Sequence, residues 1–362
     1  MKKRFYIAIL VFAAVLAGCA KAEVVPAVDK AVSFQVGSYA PQTKAPEGTA
    51  SIISIDGIRS FSSRGFLHAE GVEGYQEFFG AAGETITYNG SNAWNPSHAY
   101  FWPKSANSYV NFVSWHGGTP TLSYSQVENV WTATFAWSNA TVAKTDNYLF
   151  ADMAWRYNEN TKNPATYGFD GVTEGVPTLF HHALAQIRFL GKMTKDSETG
   201  VSWAVAVNSL SLAGVYSTGT FTLTNSDPEG KQTKPWTITD WSDLSGSAAI
   251  ATASDAEAVE LEVSDTKVLL GWNSVLPQAV TSDMQLTIDF TVVTTYGTSG
   301  PVVEEVVSKT VALSEFSSTL AAWGCGQQIT YIVSINPDTQ VIKIVPVGKD
   351  WVEAGEDHLP VE

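Results

Sequence analysis

A chain of 362 residues, 44% apolar and 12% aromatic, holds enough hydrophobic material for two ordinary cores. Its 36 acidic residues outnumber 21 basic ones, a formal net charge of −15, and such a surface repels nucleic acid and anionic lipid. Two cysteines exclude a disulfide scaffold, and six scattered histidines offer no metal-ligand spacing.

The chain opens with Lys2, Lys3 and Arg4, then an apolar run from Phe5 to Leu16, then Leu16-Ala17-Gly18-Cys19. A basic start, a short apolar core and small closing residues describe a secretory signal over 1–19, too short to span a membrane. A cysteine directly after Leu-Ala-Gly is a bacterial lipobox, so Cys19 is expected to carry lipid and become the new N-terminus. Residues 20–31 are small, charged and proline-containing, and read as a tether.

Beyond the tether the dominant period is two. Val32, Phe34 and Val36 alternate with Ser33 and Gln35, which predicts a strand with one face in a core. Polar and glycine residues around Gly171 to Pro177 place a domain boundary there, giving domains over 32–175 and 176–362. Leu179 to Leu190 fits a helix or a buried strand, and strand is the reading adopted. Phe221 and Leu223, then Met284 to Val292, then Ile329 to Ile335 repeat the alternation, with Asn89-Gly90 and Asn336-Pro337-Asp338 as turns. The fold class predicted is all-β, in sandwiches.

Chemistry is sparse. No Gly-x-Ser-x-Gly elbow, His-Glu-x-x-His pair or phosphate loop occurs. His181 and His182 are adjacent, so in a strand they face opposite ways and cannot share a metal. The expectation is no enzyme, no cofactor and no metal. Twelve tryptophans, with Trp94, Trp102, Trp115, Trp131, Trp137 and Trp155 in the first half, either fill cores or stack on sugars, and the core reading is preferred because most sit in alternating runs.

Several segments together resemble the fimbrillin family of Bacteroidota. They are Phe101-Trp102-Pro103-Lys104 with Val110-Asn111-Phe112-Val113, Asp146 to Ala151, Leu179-Phe180-His181-His182-Ala183-Leu184-Ala185, Leu210 to Leu223, Val275 to Gln278, and Trp323 to Tyr331 followed by Asp350-Trp351. The resemblance implies two tandem transthyretin-like β-sandwich domains forming a subunit of a surface fimbria, the type V pilus. It implies export as a lipoprotein to the outer membrane, surface exposed, and then removal of the first strand by a trypsin-like surface protease. Other fimbrial subunits are the implied partners, by strand exchange. Val32 to Val36 would fill the acceptor groove before cutting. Lys44, in Thr43-Lys44-Ala45 where the family commonly has Arg, together with Arg59 and Arg64 are the candidate cleavage positions. Val341 to Val345 is a candidate donor strand, or simply closes the second domain. An adhesion target, glycan or protein, is a further possible partner. The competing expectation is a lipoprotein that stays tethered and binds glycan through exposed Trp and Tyr.

Overall fold

The structure, a computed structural model, describes residues 30–38, 58–90, 93–127, 130–142, 146–158, 175–226, 233–234, 237–253, 258–263 and 267–350. Cys19, Lys44 and most of the tether lie outside the described residues.

The first strands in chain order are β1 (Phe34–Ser38), β2 (Ser60–His68), β3 (Gln76–Glu77), β4 (Glu84–Tyr88), β5 (Trp94–Pro96) and β6 (Tyr109–His116). Next come β7 (Thr121–Val127), β8 (Val130–Thr141), β9 (Leu149–Ala151), β10 (Met153–Tyr157) and β11 (Val176–His182). The chain continues through β12 (Ala185–Met193), β13 (Ser197–Glu198), β14 (Val201–Val215), β15 (Thr218–Ser226), β16 (Thr233–Lys234) and β17 (Thr237–Ser245). It proceeds through β18 (Ala248–Ala253), β19 (Val259–Leu261), β20 (Val268–Val275), β21 (Gln278–Ala279), β22 (Gln285–Tyr296) and β23 (Val302–Ala312). A 3-10 turn (Leu313–Thr319) precedes β24 (Ala322–Trp323), β25 (Gln327–Ile335) and β26 (Ile342–Asp350). The chain is all-β, as its alternation predicts.

The C-terminal unit packs two sheets face to face. One runs β20-β12-β25-β26; the other runs β14-β22-β23, with β18 and β19 on the outer side of β14. Their inward residues, Ile187 and Phe189, Tyr331 and Val333, Val205 and Val207, Leu286, Ile288 and Phe290, fall into one buried cluster. Period two puts every second side chain on that face, so the register is set by the core itself.

The N-terminal unit is built differently. A ten-stranded sheet runs β16-β10-β6-β9-β11-β1-β5-β4-β2-β3, and β2 also pairs with β6. The path β6-β9-β11-β1-β5-β4-β2 therefore returns to its start, and the sheet closes around an aromatic core of Phe34, Phe61, Phe79, Trp94, Trp102 and Phe112. Closure removes free sheet edges along this ring. A second sheet, β17-β15-β8-β7, covers its outer face through Phe135, Trp137, Phe221, Leu223 and Trp241 against Phe66, Phe150 and Trp155.

The strand pairing does not follow a cut at 175/176. β11 lies parallel to β1 and antiparallel to β9 in the N-terminal sheet. The chain returns to the N-terminal unit at β15 and β17, since β15 lies between β8 and β17. Pairing of strands distant in sequence, which no local composition shift marks, divides the cores. The Leu179 to Leu190 stretch becomes two strands, β11 and β12, joined at His182 to Ala185, and each enters a different unit.

Candidate functional site

Strand β1 is the stave on which closure of the N-terminal sheet depends. Gln35 to Ser38 run parallel to Pro177 to Phe180 of β11, and Phe34 faces Val176 on that side and Trp94 of β5 on the other. Its alternation places Val32, Phe34 and Val36 inward, each almost fully buried. The Phe34 ring meets Phe61 at 5.6 Å and Phe112 at 5.5 Å, both edge-to-face. Each buried side chain of this kind contributes roughly 1.5–3 kcal/mol, so the strand is held by apolar contact as much as by its ladder.

The leading end of β1 is tied by the backbone. Val32 N–H donates to the Tyr100 carbonyl at 2.8 Å, and Trp102 N–H donates to the Lys30 carbonyl at 3.1 Å. Glu84, at the start of β4, holds this loop from below. Its carboxylate accepts from Ser97 N–H at 3.1 Å, from Tyr100 Oη–H at 2.8 Å and from the Ser97 hydroxyl, with His98 Nδ1 at 3.2 Å from Oε2. Burial would raise the Glu84 pKa, but hydrogen bonds from Ser97, Tyr100 and His98 outweigh it and hold the group below the usual carboxylate range.

Gly175, just before β11, shows how tightly β1 fits. Its φ is +101°, and a Cβ there would lie 3.1 Å from the Phe34 carbonyl carbon and 3.2 Å from the Gln35 nitrogen. Only glycine allows both that backbone and that approach.

The candidate basic residues separate clearly. Arg59 is exposed just ahead of β2, with its carbonyl accepting from Tyr88 N–H at 3.0 Å and its guanidinium 5.5 Å from the Tyr88 ring centroid. Arg64 sits inside β2, opposite Val113 of β6, ion-paired with Glu77 and 5.0 Å from the Phe66 ring centroid. Val341 to Val345 is taken up largely by β26, which pairs with β25 from Ile342↔Ile335 to Asp350↔Gln327 and buries Ile344.

The two histidines face opposite ways. His181 Nε2 lies 2.9 Å from Asp152 Oδ1, while buried His182 places Nδ1 2.9 Å from Asn147 Oδ1. Burial pushes the His182 pKa down to about 3, helped by neighbouring His181. Trp94, Trp102, Trp137 and Trp155 are buried and Trp115 is half-buried, whereas the Trp131 side chain lies outside the described residues. Among the described residues no group of three or more His, Cys, Asp or Glu could hold a metal ion, and no helix is long and apolar enough to cross a membrane. What the alternation could not disclose is the wall of the groove, because β5 and Gly175 carry no chemical signature beyond a turn glycine.

Fold and groove together define an all-β protein that seats its own first strand as the closing member of a sheet. The chain belongs to the fimbrillin-like family, whose model matches residues 68–351. Among solved structures, the chain is similar to a candidate cell adhesion protein from Bacteroides uniformis, at 14% identity over 89% of this chain and 99% of that one, with a TM-score of 0.45. It is similar to a fimbrial protein from Bacteroides vulgatus, at 14% identity over 88% and 99% of the two chains, TM-score 0.43. The fimbrial anchor protein Mfa2 from Porphyromonas gingivalis matches at 10% identity over 90% and 98%, TM-score 0.28. No curated protein sequence matches this chain.

Proposed function

We propose that this chain is a fimbrial subunit of the cell surface, exported as a lipoprotein through Cys19 and assembled by exchange of its first strand. The observation that carries this reading is the position of β1 between β5 and β11, buried by Val32, Phe34 and Val36 and joined along the chain to β2 by residues 39–59. A cut in that connection by a trypsin-like surface protease would leave β1 held by noncovalent contact alone. A neighbouring subunit's strand with the same apolar alternation could then replace it, gaining the same ladder and pockets. Lys44 and Arg59 are the cleavage positions that suit this scheme, because Arg64 is paired within β2 and its side chain is engaged by Glu77. The two units would be the counterparts of the tandem transthyretin-like sandwiches of the family, with the first closed by β1. In this copy β26 completes a sheet, so using it as donor requires it to leave β25 first.

The test is limited digestion of the chain with a trypsin-like protease, followed by N-terminal sequencing and native mass measurement. A new N-terminus just after Lys44 or Arg59, with loss of the β1 peptide and growth of oligomers, supports the proposal. A cut chain that never exchanges β1 for an added Ala31–Ser38 peptide would overturn the strand-exchange step.

A further inference from the structure

Away from the β1 groove, the C-terminal unit has two outer sheet faces, and their charges are opposite in sign. In the sheet β20-β12-β25-β26, Ile187, Phe189, Tyr331, Val333 and Ile344 enter the core, so the alternate positions face away from it. Those outward positions include Arg188 and Lys192 on β12, both half-buried, and Lys343 and Lys349 on β26, both exposed. No outward position of these four strands is Asp or Glu. Val345 and Val347 stand between the two lysines of β26, 42% and 41% exposed. In a chain of 36 acidic and 21 basic residues, a face with four cations and no anion reverses the overall balance.

The sheet containing β14, β22 and β23 has the opposite character. Val205, Val207, Ile288, Phe290 and Val307 enter the core. The alternate positions hold Asp289 on β22 and Glu304 on β23, and Glu260 of β19 lies beside outward Ala206. No Lys or Arg occupies an outward position on β14, β19, β22 or β23, since Lys309 shares the inward side with its partner Ile288. Val302 and Val306 flank Glu304 and are 63% and 70% exposed, the pattern of β26 with the sign reversed. The Ser209 hydroxyl donates to Asp289 Oδ2 at 2.6 Å, and this bond with one from Ser308 holds the carboxyl below its usual range. Asp289 is therefore firmly ionised in the middle of the face.

Strand geometry fixes the spacing of these charges, at about 3.3 Å per residue and about 4.8 Å per strand. Lys192, Ser334 and Lys343 form one row, so the two lysines are about 10 Å apart, and Arg188 is four residues from Lys192, about 13 Å. On the other sheet Glu260 is two strands and two residues from Asp289, about 12 Å, and Glu304 is one strand and four residues away, about 14 Å. Three cations and three anions thus stand at matching separations on two flat faces. We propose that the basic face of one copy packs on the acidic face of a second copy, Lys192 and Lys343 against Asp289 and Glu260, and Arg188 against Glu304. The exposed valines of both faces close the contact. Every copy carries both faces, so the contact is heterologous and repeats from copy to copy, joining chains side by side. Four strands of eight or nine residues cover about 500 Å², so a pair buries about 1,000 Å², the low end for a specific interface. A single contact is therefore weak, and it gains strength where many copies are held in an array. β1 and its groove take no part, so failure of this contact would leave strand exchange untouched.

The experiment is sedimentation velocity on the uncut full chain, in which β1 stays seated, over a concentration series at about 0.15 M and about 0.5 M sodium chloride. Expected is a weight-average mass that rises with concentration at the lower salt, and association at least tenfold weaker at the higher. Lys192→Glu with Lys343→Glu makes both faces acidic, and Glu260→Lys with Glu304→Lys makes both basic. Each double variant alone should associate at least tenfold more weakly than the unsubstituted chain, and mixing the two should restore association as one-to-one pairs. The four side chains lie outside the core and are at least partly exposed, and thermal melts check that each variant keeps its fold. A chain that stays monomeric up to about 1 mM, a variant that self-associates as the unsubstituted chain does, or a mixture no more associated than its components overturns the contact. Association unchanged at the higher salt overturns the charge pairing.

Discussion

Phe34 of β1 packs its ring against Phe61, Phe79 and Phe112. Phe34→Ala should cost about 3–5 kcal/mol, the usual range for a buried ring removed from a close-packed site. Urea denaturation followed by tryptophan fluorescence reads it directly. Gly175→Ala should destabilise the chain by about 1–3 kcal/mol, since the added methyl crowds the β1 backbone and φ +101° becomes strained. An unchanged midpoint in that variant would show that β1 is not seated where Gly175 meets it. Among the groups whose native pKa values are depressed, His182 and Glu84 bear on acid stability near β1 and at the β11 end. His182 is kept neutral, so below its unfolded value near 6.5 the unfolded state binds a proton that the native state refuses. Stability should therefore decline as pH falls from about 6.5, by up to about 1.4 kcal/mol per pH unit from this one group. Glu84 stabilises only while ionised, and its contribution is full above its ordinary value of 4.5 and disappears at lower pH. His182→Gln should remove the first decline and Glu84→Gln the second, both visible in chemical denaturation between pH 7 and 3.

At the scale of elements, period two was sufficient to find the strands. Met284 to Val292 appears within and beside β22, Ile329 to Ile335 within β25, and Val32 to Val36 at β1, with their apolar members buried. Each of these segments alternates because one face meets a core, and that pattern is local. The partners of each strand were not legible. β1 pairs with β11, some 140 positions away, through backbone groups that every residue type shares, so no residue type announces it. The opposite signs of the two outer faces were equally silent, because Lys192 and Glu304 look like any surface charges until their registers are known. The chemical element of assembly belongs here too. Arg59→Ala with Lys44→Ala should prevent release of β1 by a trypsin-like protease, while Arg64→Ala should leave release unchanged; intact mass after digestion distinguishes the two.

The whole molecule is joined where β11 passes into β12. Ala183 N–H donates to the Tyr148 carbonyl at 2.8 Å, and Trp241 Nε1–H donates to the Ala183 carbonyl at 2.7 Å. Gly326 N–H donates to the Leu184 carbonyl at 2.9 Å, bringing the C-terminal unit to the same short segment. A fragment ending at residue 175 would lack β11, β15 and β17, leaving β1 without a partner on one side and the Trp137 layer uncovered. Such a fragment should fail to fold, with an amide NMR spectrum confined to random-coil positions; a dispersed spectrum would contradict the pairing. From its sequence alone this protein's all-β class and its family could be read, because each rests on neighbouring residues or on a short period. Only the tertiary structure decided that the N-terminal sheet closes through β1, that the two units share strands across the apparent boundary, and that the two outer faces of the C-terminal unit carry opposite charge. Those outcomes depend on backbone hydrogen bonds between distant segments, which every sequence can make and only the packed core selects.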